Sequence, residues 1–586
     1  MDITTQRHSA AHIMAAAIQR LYPQAKFGVG PAIDNGFYYD IDIDRALNQE
    51  DVDAISKEMK KIVSEKLPFI RREMSIDAAM SFFDEHGQTY KFELLKDLKE
   101  KGTTSLSAEE QKDAESVDTV SMYTTGEFVD LCRGPHVETS DQIGAVKLTK
   151  FSGAYWRGKQ ENPQMQRIYG LVFPTQKELD EYLAMMEEAE RRDHRKIGPE
   201  LGLFMFHEWA PGIPFFLPNG MIIQEELVKF VREQSYGEGY KEIRTPQIFD
   251  AELWKTSGHW EHYQNDLFKI TIDEREMAVK PMNCPGHMLV FREGLHSYRE
   301  LPLRLAETTT LHRYELSGAL GGLTRCRGFG QDDTHIFLRP NQVRDEVHSL
   351  LSRIKTIYEI FKLQITDVML STRPESFLGT KEVWDTAESD LKEALTAADL
   401  PFHINEGDGA FYGPKIDIQV SDAIGRKWQL ATIQLDYQMP QKFKLEYVEE
   451  DGSRQCPVVI HRAILGSFER FFGILIEHYI GAFPTWLSPV QVRVIPVADR
   501  HNDAAQALRK ELMTAGMRAD VDDNTESVGK KIRSAEKAKI PYALVIGDRE
   551  AEGGDLTVRI RGVKDQEVMS KAAFVERVMG EIRERK

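Results

Sequence analysis

The stretch LHRYELSGALGGLTRCRGF, residues 311–329, places basic side chains on both sides of a glycine-rich segment. Arg313 and Glu315 are separated by one residue, so on a strand both point to the same face. The central glycines allow the chain to turn back, and Arg325 and Arg327 then return on a partner strand. Guanidinium groups bind phosphate oxygens in pairs, whereas a carboxylate accepts from an adenine or an amine. The stretch therefore predicts a hairpin that holds a nucleotide.

A second arginine-bearing stretch, GSFERFFGILIEH, covers residues 466–478 and puts Arg470 at the start of a predicted helix, from which it could reach a terminal phosphate. The chain contains no GxxxxGK(S/T) loop and no GxGxxG after a strand, so a nucleotide has to be bound without a glycine loop around its phosphates. A lone arginine is most often part of a surface or structural ion pair. Four arginines in two such segments favour a phosphate site instead.

Three other segments each supply one member of a candidate metal-ligand set. Cys284, His335 and His461 together supply one thiolate and two imidazoles. A zinc ion held by three protein ligands keeps a coordination position open for a substrate. The alternative is a buried free cysteine and two hydrogen-bonded histidines, but the surrounding motifs favour zinc. The segments are KPMNCPGHM (280–288), GQDDTHIF (330–337) and VVIHRAILG (458–466).

The N-terminal region contains a second group of metal-type side chains. His8 and His12 are spaced i, i+4, so they lie on one face of a helix. HxxxH followed by CxxxH looks like a four-ligand metal site, and coincidental histidines remain the alternative. The other members are Asp130, Cys132 and His136 in DLCRGPH (130–136) and Lys150 in KLTKFSGAYWRG (147–158).

The composition fits a multidomain protein of a reducing compartment. Its 586 residues suggest about three to five domains, and an apolar content of 41% can fill several cores. The four cysteines form no CxxC pair and are too few for a disulfide framework. The N-terminus lacks a signal-peptide layout, and the apolar runs are shorter than a membrane span. We expect a soluble cytoplasmic protein without membrane contact.

The charge distribution separates the last segment from the rest. The formal net charge of −18 argues against a protein that coats nucleic acid. Residues 488–586 carry 19 Lys and Arg against 17 Asp and Glu, so this segment is close to neutral. A near-neutral module on an acidic body can approach RNA locally without a general attraction to polyanions.

Hydrophobic patterning divides the chain into four parts. Residues 1–175 read as mixed α+β, and 176–200 read as one connecting helix in a highly charged stretch. Residues 201–487 combine alternating strands with long helices. Residues 488–586 alternate strands and helices, which favours a small α/β domain with a mostly parallel sheet. The predicted helices are 9–21, 50–67 and 221–240, and the predicted strands are 36–44, 416–420, 431–437, 491–497, 517–523, 542–548 and 557–562.

These motifs resemble the class II aminoacyl-tRNA synthetases. The hairpin at 311–329 is similar to motif 2 of that class, GSFER at 466–470 to motif 3, and GYKEIRTP at 239–246 to motif 1 with its interface proline. The zinc triplet and WQLATIQLDY at 428–437 narrow the match to the threonyl-tRNA synthetase family. The resemblance implies an antiparallel-sheet class II core over 201–487, an α+β editing domain over 1–175 and an α/β anticodon-binding domain over 488–586.

The resemblance also implies ligands and roles. The ligands would be ATP with Mg²⁺, one Zn²⁺, L-threonine and tRNA(Thr), in a homodimer formed through the segment with Pro246. Arg313 would bind the α-phosphate, Arg470 the γ-phosphate and Glu315 the adenine, with Arg325 near the phosphates. The amino-acid pocket would include Asp333, Tyr412, Lys415 and Gln434, and His259 would lie near the terminal ribose of the tRNA.

For the other two domains, the resemblance implies hydrolysis of Ser-tRNA and recognition of the anticodon. Editing would use His8, His12, Asp130, Cys132, His136 and Lys150, with metal occupancy open. The residues predicted to contact tRNA are Glu550, Arg559, Lys530, Lys531 and Arg533.

One departure and three rival interpretations accompany the match. Bacterial members of the family usually begin with a small ubiquitin-like domain, which this sequence does not show before the editing segment, and the polar insertion at 107–118 is unusual. Another class II synthetase would lack the zinc triplet and the HxxxH segment. A non-catalytic RNA-binding regulator should have lost Arg313, Arg470 or a zinc ligand. A stand-alone deacylase would not need the region after residue 200.

Overall fold

The structure is a computed structural model that describes residues 2–104, 117–159 and 161–586. Most of the insertion at 107–118 lies outside these residues. The chain forms two compact units, Met1–Glu187 and Glu188–Lys586. Among the described residues, no helix combines the length and apolar composition that a membrane crossing requires.

The N-terminal unit packs helices against antiparallel sheets, which is the predicted α+β class. Its first helix spans Ile3–Leu21, and Asp2 caps it by accepting from the Thr5 N–H. Every residue from Ser9 to Ile18 is buried, because small alanines allow the helix to approach a five-stranded sheet closely. The other helices are Gln49–Ser64, Ile76–Glu85 and Thr89–Lys101, and the longer strands are Gly36–Asp42, Phe69–Ser75, Thr119–Thr125, Phe128–Leu131, Ala145–Tyr155 and Gln164–Phe173.

The predicted connecting helix is two helices in the structure. The first spans Gln176–Arg192 and the second His194–Glu200. Asp193 separates them, and its side chain accepts from the Arg195 N–H, which starts the second helix. The prediction of one helix over 176–200 was therefore wrong, since a capping residue in the charged stretch went unrecognised.

The second unit is built on an eight-stranded sheet. The six central strands pair antiparallel, and the short strand at each edge pairs parallel. This is the antiparallel core that the resemblance implied. In spatial order the strands are Lys241–Glu242, Leu303–Glu307, Asp333–Leu338, Val458–Ala463, Lys427–Asp436, Lys415–Ser421, Gln364–Ser371 and His403–Asn405.

Long amphipathic helices pack against one face of the sheet and form a large hydrophobic core with it, while the opposite face carries the site residues. The core helices include Pro218–Tyr236, Val343–Ile360, Lys381–Ala397 and Phe468–Tyr479. The shorter helices are Ala251–Ser257, His259–His262, Cys284–Arg292 and Met439–Lys442. The unit also contains smaller sheets. Phe204–Met205 pairs with Phe215–Phe216. Ile248–Asp250 and Lys269–Ile272 both pair with Arg275–Val279, and His296–Ser297 and Arg454–Gln455 both pair with Tyr447–Val448.

The hairpin predicted at 311–329 has shorter strands than expected. Only Thr310–His312 and Gly328–Gly330 pair as strands. Arg313 and Glu315 lie beyond them in a loop, so strand alternation does not explain their positions. The Arg313 N–H donates to the Arg327 carbonyl, after which the loop continues through two 3₁₀ turns, Ser317–Ala319 and Gly322–Thr324.

The C-terminal α/β domain has a mixed sheet. Val492–Pro496 pairs parallel with Ala519–Val521 and with Tyr542–Ile546, but Leu556–Ile560 and Glu567–Met569 are added antiparallel. The prediction of a mostly parallel sheet was therefore right for only half of it. The connection between the third and fourth strands, residues 547–555, holds only the four-residue helix Asp548–Ala551 and is too short for the crossover that parallel pairing requires. The helices are Asn502–Thr514, Val528–Lys537, Asp548–Ala551 and Lys571–Glu584.

Candidate active site

Four of the predicted site residues form one row across the large sheet. His335 lies directly opposite His461, His461 lies opposite Gln434, and Gln434 lies opposite Lys415. Directly opposed residues on neighbouring strands point to the same face of a sheet. The row therefore joins the metal-type ligands at one end to a lysine of the nucleotide cleft at the other.

The three predicted metal ligands converge beside this row. One ligand atom from each of Cys284, His335 and His461 lies within 4.8 Å of the other two, and all three residues are buried. His335 Nε2 and His461 Nδ1 are buried atoms without a hydrogen-bond partner among the residues that the structure describes. Buried nitrogens of this kind cost free energy unless something pairs with them. The donor set, one sulfur and two ring nitrogens, fits Zn²⁺.

Electrostatics in this pocket favour a cation. Burial raises the pKa of the Cys284 thiol well above its usual value, and the carboxylates of Asp333 and Asp436 raise it further. Burial also raises the pKa of Asp333, whose carboxylate accepts from Asn283 Nδ2 at 3.0 Å. A divalent cation would lower both pKa values again, because it stabilises a thiolate and nearby carboxylates.

The predicted nucleotide residues line one cleft with a volume of about 450 Å³. Arg470 Nε donates to the Thr324 carbonyl at 3.2 Å, which joins the motif 3 helix to the motif 2 loop. Burial lowers the pKa of Arg470, and the neighbouring charge of Arg325 lowers it further. An anionic phosphate in the cleft would stabilise the charged Arg470 guanidinium and raise its pKa again. The cleft is lined by Arg313, Glu315, Arg325, Lys415, Gln434 and Arg470 among others.

Three ion pairs involve residues of the cleft walls. Glu315 binds Arg325 at 2.8 Å, so the predicted adenine acceptor is paired in this structure. Lys415 Nζ lies 2.8 Å from Asp417 and 3.1 Å from Asp408. Sequence reasoning missed Asp417, although its position two residues after Lys415 on a predicted strand places both side chains on the same face.

Tyr412 and His259 are buried next to the metal ligands. The Tyr412 hydroxyl donates to Gln434 Oε1, and its ring lies 5.2 Å from that of His461. His259 is fully buried, its Nδ1 lies 2.8 Å from Ser257 Oγ, and burial lowers its pKa to about 3. Its Nε2 has no hydrogen-bond partner within the described part of the chain. Contact of His259 with a tRNA ribose stays a prediction.

The N-terminal cluster also converges. One ligand atom from each of His8, His12, Cys132 and His136 lies within 4.8 Å of the others, and Cys132 Sγ is 3.3 Å from His8 Nε2 and 3.2 Å from His136 Nε2. Burial lowers the pKa of His136 to about 2 and raises that of the Cys132 thiol to about 11. At neutral pH the imidazoles are therefore uncharged, which suits them to accept a proton or to bind a metal.

A lysine that sequence reasoning missed contacts this cluster. Asp130 is 2% exposed and lies 3.4 Å from His12 Nε2, and its other oxygen contacts Lys91 Nζ. Lys91 belongs to the helix Thr89–Lys101 and is 3% exposed. The predicted Lys150 is instead exposed on the strand Ala145–Tyr155, with its ammonium 4.8 Å from the Tyr169 ring centre. Nothing in the sequence around Lys91 distinguishes it from other helix lysines.

Known proteins match the chain over nearly its whole length. Family models match residues 268–479 as the class II core domain of the G, H, P, S and T tRNA synthetases, 491–581 as an anticodon-binding domain, and 120–169 as the second additional domain of threonyl and alanyl tRNA synthetases. A threonine–tRNA ligase of Carboxydothermus hydrogenoformans is 51% identical over 580 residues, which is 99% of this chain and 89% of that protein. The chain belongs to the threonyl-tRNA synthetase family. Another family member, from Finegoldia magna, is 49% identical over 99% of this chain and 89% of its own length.

Solved structures of threonyl-tRNA synthetases resemble this fold. The RNA-binding domain of the Cryptosporidium parvum Iowa II protein aligns with a TM-score of 0.65 at 42% identity, covering 66% of this chain and 98% of its own. A putative threonyl-tRNA synthetase of Aeropyrum pernix aligns with a TM-score of 0.59 at 31% identity, covering 67% of this chain and 97% of its own. The resemblance to class II synthetases is confirmed, and family membership makes the chain an aminoacyl-tRNA synthetase.

In the anticodon-binding domain of this family member, the residues predicted to contact tRNA differ in exposure and in their hydrogen bonds within the domain. Lys531 is 6% exposed and donates to the Pro496 carbonyl at 3.3 Å, so the structure does not support a phosphate contact for it. Glu550 accepts from the Gly547 N–H and from Thr557 within its own domain. Three residues remain reachable: Lys530, which pairs with Glu526, the exposed Arg533, and Arg559 on the strand Leu556–Ile560.

Proposed function

We propose that the chain attaches L-threonine to tRNA(Thr) in two steps, through a threonyl-adenylate. The threonine carboxylate attacks the α-phosphate of ATP and pyrophosphate leaves; the terminal ribose hydroxyl of the tRNA then takes the acyl group and AMP leaves. One observation carries this proposal. The row His335, His461, Gln434 and Lys415 connects a three-ligand metal pocket to a cleft lined by Arg313 and Arg470.

The first step needs positioning and charge stabilisation more than acid–base chemistry. Arg313 would bind the α-phosphate and stabilise the pentavalent transition state, and Arg470 would bind the γ-phosphate. Mg²⁺ would accompany ATP and neutralise the leaving pyrophosphate. Glu315, now paired with Arg325, would accept from adenine when Arg325 turns to the phosphates.

Threonine would be selected at the metal pocket, with Cys284, His335 and His461 holding Zn²⁺. When bound, the zinc would supply coordination positions that suit an amino nitrogen and a hydroxyl oxygen, and valine has no hydroxyl for the second position. Asp333 would accept from the amine, and Gln434, held by Tyr412, would orient the hydroxyl. A site built around a polar group rejects an analogue without that group by about 10⁴–10⁵-fold.

The test is amino-acid-dependent exchange between ATP and pyrophosphate, with threonine, serine and valine, before and after metal removal. Exchange with threonine and serine but not valine, lost on chelation and restored by zinc, is the expected result. Exchange that is independent of the metal, or equally fast with valine, contradicts the assignment of the pocket.

We also propose that the N-terminal unit hydrolyses Ser-tRNA(Thr). Serine has both the amine and the hydroxyl, and it lacks only a methyl group, which a pocket can distinguish by about 1–3 kcal/mol. A second, hydrolytic site is the remedy for so small a difference. The buried, uncharged imidazoles near Asp130 support water activation there, and a four-ligand metal centre is the alternative use of the same atoms.

The corresponding experiment replaces His8 and His12 together by Ala. Threonylation should stay unchanged while Ser-tRNA(Thr) accumulates, because the two histidines belong to the compact unit Met1–Glu187 and the catalytic motifs belong to the other unit. His86→Ala, at an exposed helix end, is the control. Undiminished deacylation by the double variant refutes the assignment, and metal analysis of the isolated protein separates water activation from metal binding.

We infer further that the enzyme is a cytoplasmic homodimer assembled through the segment with Pro246. Exposed apolar side chains in the same unit support an interface: Trp209 is 87% exposed, and Phe215 and Ile248 are each more than 40% exposed. Sedimentation of the wild type and of Trp209→Lys tests this, since a monomeric wild type contradicts it.

A further inference from the structure

The two histidines of the metal pocket are supported in different ways through their second ring nitrogens. His461 Nε2 lies 3.0 Å from Asp436 Oδ2, a direct contact between a histidine and a carboxylate. His335 Nδ1 instead lies 2.9 Å from Nδ1 of another histidine, His287. His287 Nε2 in turn lies 3.1 Å from Glu307 Oε2. His335 is therefore connected to a carboxylate through an intervening imidazole.

Only one arrangement of protons satisfies this chain of contacts with neutral rings. Glu307 Oε2 is an acceptor, so His287 must carry its proton on Nε2 and present a lone pair on Nδ1. His335 must then donate from Nδ1, which leaves a lone pair on its Nε2. His335 Nε2 is buried and has no partner in residues 2–104, 117–159 and 161–586. In the opposite arrangement, His335 Nε2 carries a proton and cannot bind a metal.

Glu307 is itself held in place by donors from three directions. Its oxygens accept from the Thr245 N–H at 2.9 Å, from Lys280 Nζ at 2.8 Å and from Thr309 Oγ1. Glu307, His287 and Lys280 are all 0% exposed. A carboxylate fixed in this way keeps its acceptor oxygen directed at His287 Nε2, so the proton arrangement of the chain does not depend on solvent.

We propose that His287 and Glu307 are positioning residues that fix the metal-binding tautomer and the ring orientation of His335. The inference rests on the proposed zinc site, and neither residue touches the substrate. The partner of a ligating histidine commonly contributes 10–100-fold to metal affinity. The additional claim is that this contribution passes through an imidazole and requires both of its nitrogens.

Three substitutions at His287 separate the two contacts. The amide of His287→Asn lies near the position of Nδ1 and can accept from His335, whereas the amide of His287→Gln lies near Nε2 and reaches Glu307 only. His287→Leu makes neither contact. Zinc affinity should fall by about 10–100-fold in the Leu and Gln variants, with the Asn variant between them and the wild type. His348→Leu, on the exposed face of the helix Val343–Ile360, is the control.

The measurements are zinc dissociation constants from competition with a chromogenic chelator and the visible spectrum of the cobalt-substituted protein. A buried histidine can also matter for folding, so melting temperatures are recorded. The Asn and Gln variants, which are both polar, keep the comparison valid if the Leu variant does not fold. Equal zinc affinity in the wild type, the Gln variant and the Leu variant overturns this inference and leaves the proposed zinc site intact. Wild-type protein that binds no zinc overturns the metal assignment in the proposed function and the inference with it.

Discussion

Gly322 in the motif 2 loop offers the sharpest test of how the nucleotide cleft is built. Its φ is +65°, a conformation that favours glycine, and a Cβ added there would lie 2.4 Å from His194 Nε2. His194 is buried, and its Nε2 accepts from the Leu323 N–H at 3.0 Å. Its Nδ1 lies 2.6 Å from Glu477 of the motif 3 helix. Gly322→Ala must therefore distort the loop, displace the imidazole, or do both.

The magnitude follows from two terms. Holding alanine in a left-handed conformation costs about 1–2 kcal/mol. Loss of the hydrogen bond from Leu323 to His194 costs about 1 kcal/mol. The sum, about 2–3 kcal/mol, opposes the loop conformation that presents Arg325 to the cleft. At about 1.4 kcal/mol per factor of ten, kcat/KM for ATP should fall by roughly 30- to 150-fold.

The assay is ATP–pyrophosphate exchange with threonine, with ATP varied, alongside the melting temperature. Gly318→Ala is the matched control, because it lies in the same loop, its φ is not positive, and an added Cβ meets no atom of the described residues within 4 Å. The control should retain near-wild-type kinetics. If Gly322→Ala and Gly318→Ala have the same kcat/KM for ATP, the proposed link between loop geometry and nucleotide binding is wrong.

Three further predictions concern other parts of the chain. Lys91→Met should abolish deacylation of Ser-tRNA(Thr) because the buried Asp130 loses its cation, whereas Lys150→Met should leave deacylation near wild type; the reverse ranking in a deacylation assay contradicts the structure. Burial raises the pKa of Glu469 to about 7, so the folded state binds an extra proton between about pH 4.5 and 7 and stability falls as pH rises through that window. Glu469→Gln should flatten the dependence of stability on pH and raise the melting temperature at pH 8. An unchanged pH dependence contradicts the raised pKa of Glu469. Arg559→Ala should raise KM for tRNA, while Lys531→Met should leave that KM alone and lower the melting temperature; aminoacylation kinetics and thermal melts decide between the two.

Much of the site was readable from local sequence. The ligand types at Cys284, His335 and His461 are a property of the residues themselves, and their convergence was correctly predicted. His8 and His12 share a helix face because their spacing matches the helical repeat. The helices predicted at 9–21, 50–67 and 221–240 and the predicted strands are present in the structure, with boundaries displaced by up to about six residues.

The structure gives other predictions no support, because a distant part of the chain decides what those residues contact. Lys150 was chosen from its neighbourhood in sequence, but Asp130 contacts Lys91, which a separate helix brings to it. Lys531 looked like a surface cation, yet it is buried against Pro496. Side-chain exposure depends on what packs against an element, and periodicity in one segment does not report that.

By itself, the sequence determined the family, the class II motifs and the chemical character of each ligand, because these depend on residue type and short-range spacing. Only the tertiary structure decided that His335, His461, Gln434 and Lys415 form one row, since their four strands are neighbours in space but not all consecutive along the chain. It also decided that Glu307 reaches His335 through His287. Strand register and burial arise from long-range packing, in which a shift of one residue turns every side chain to the opposite face.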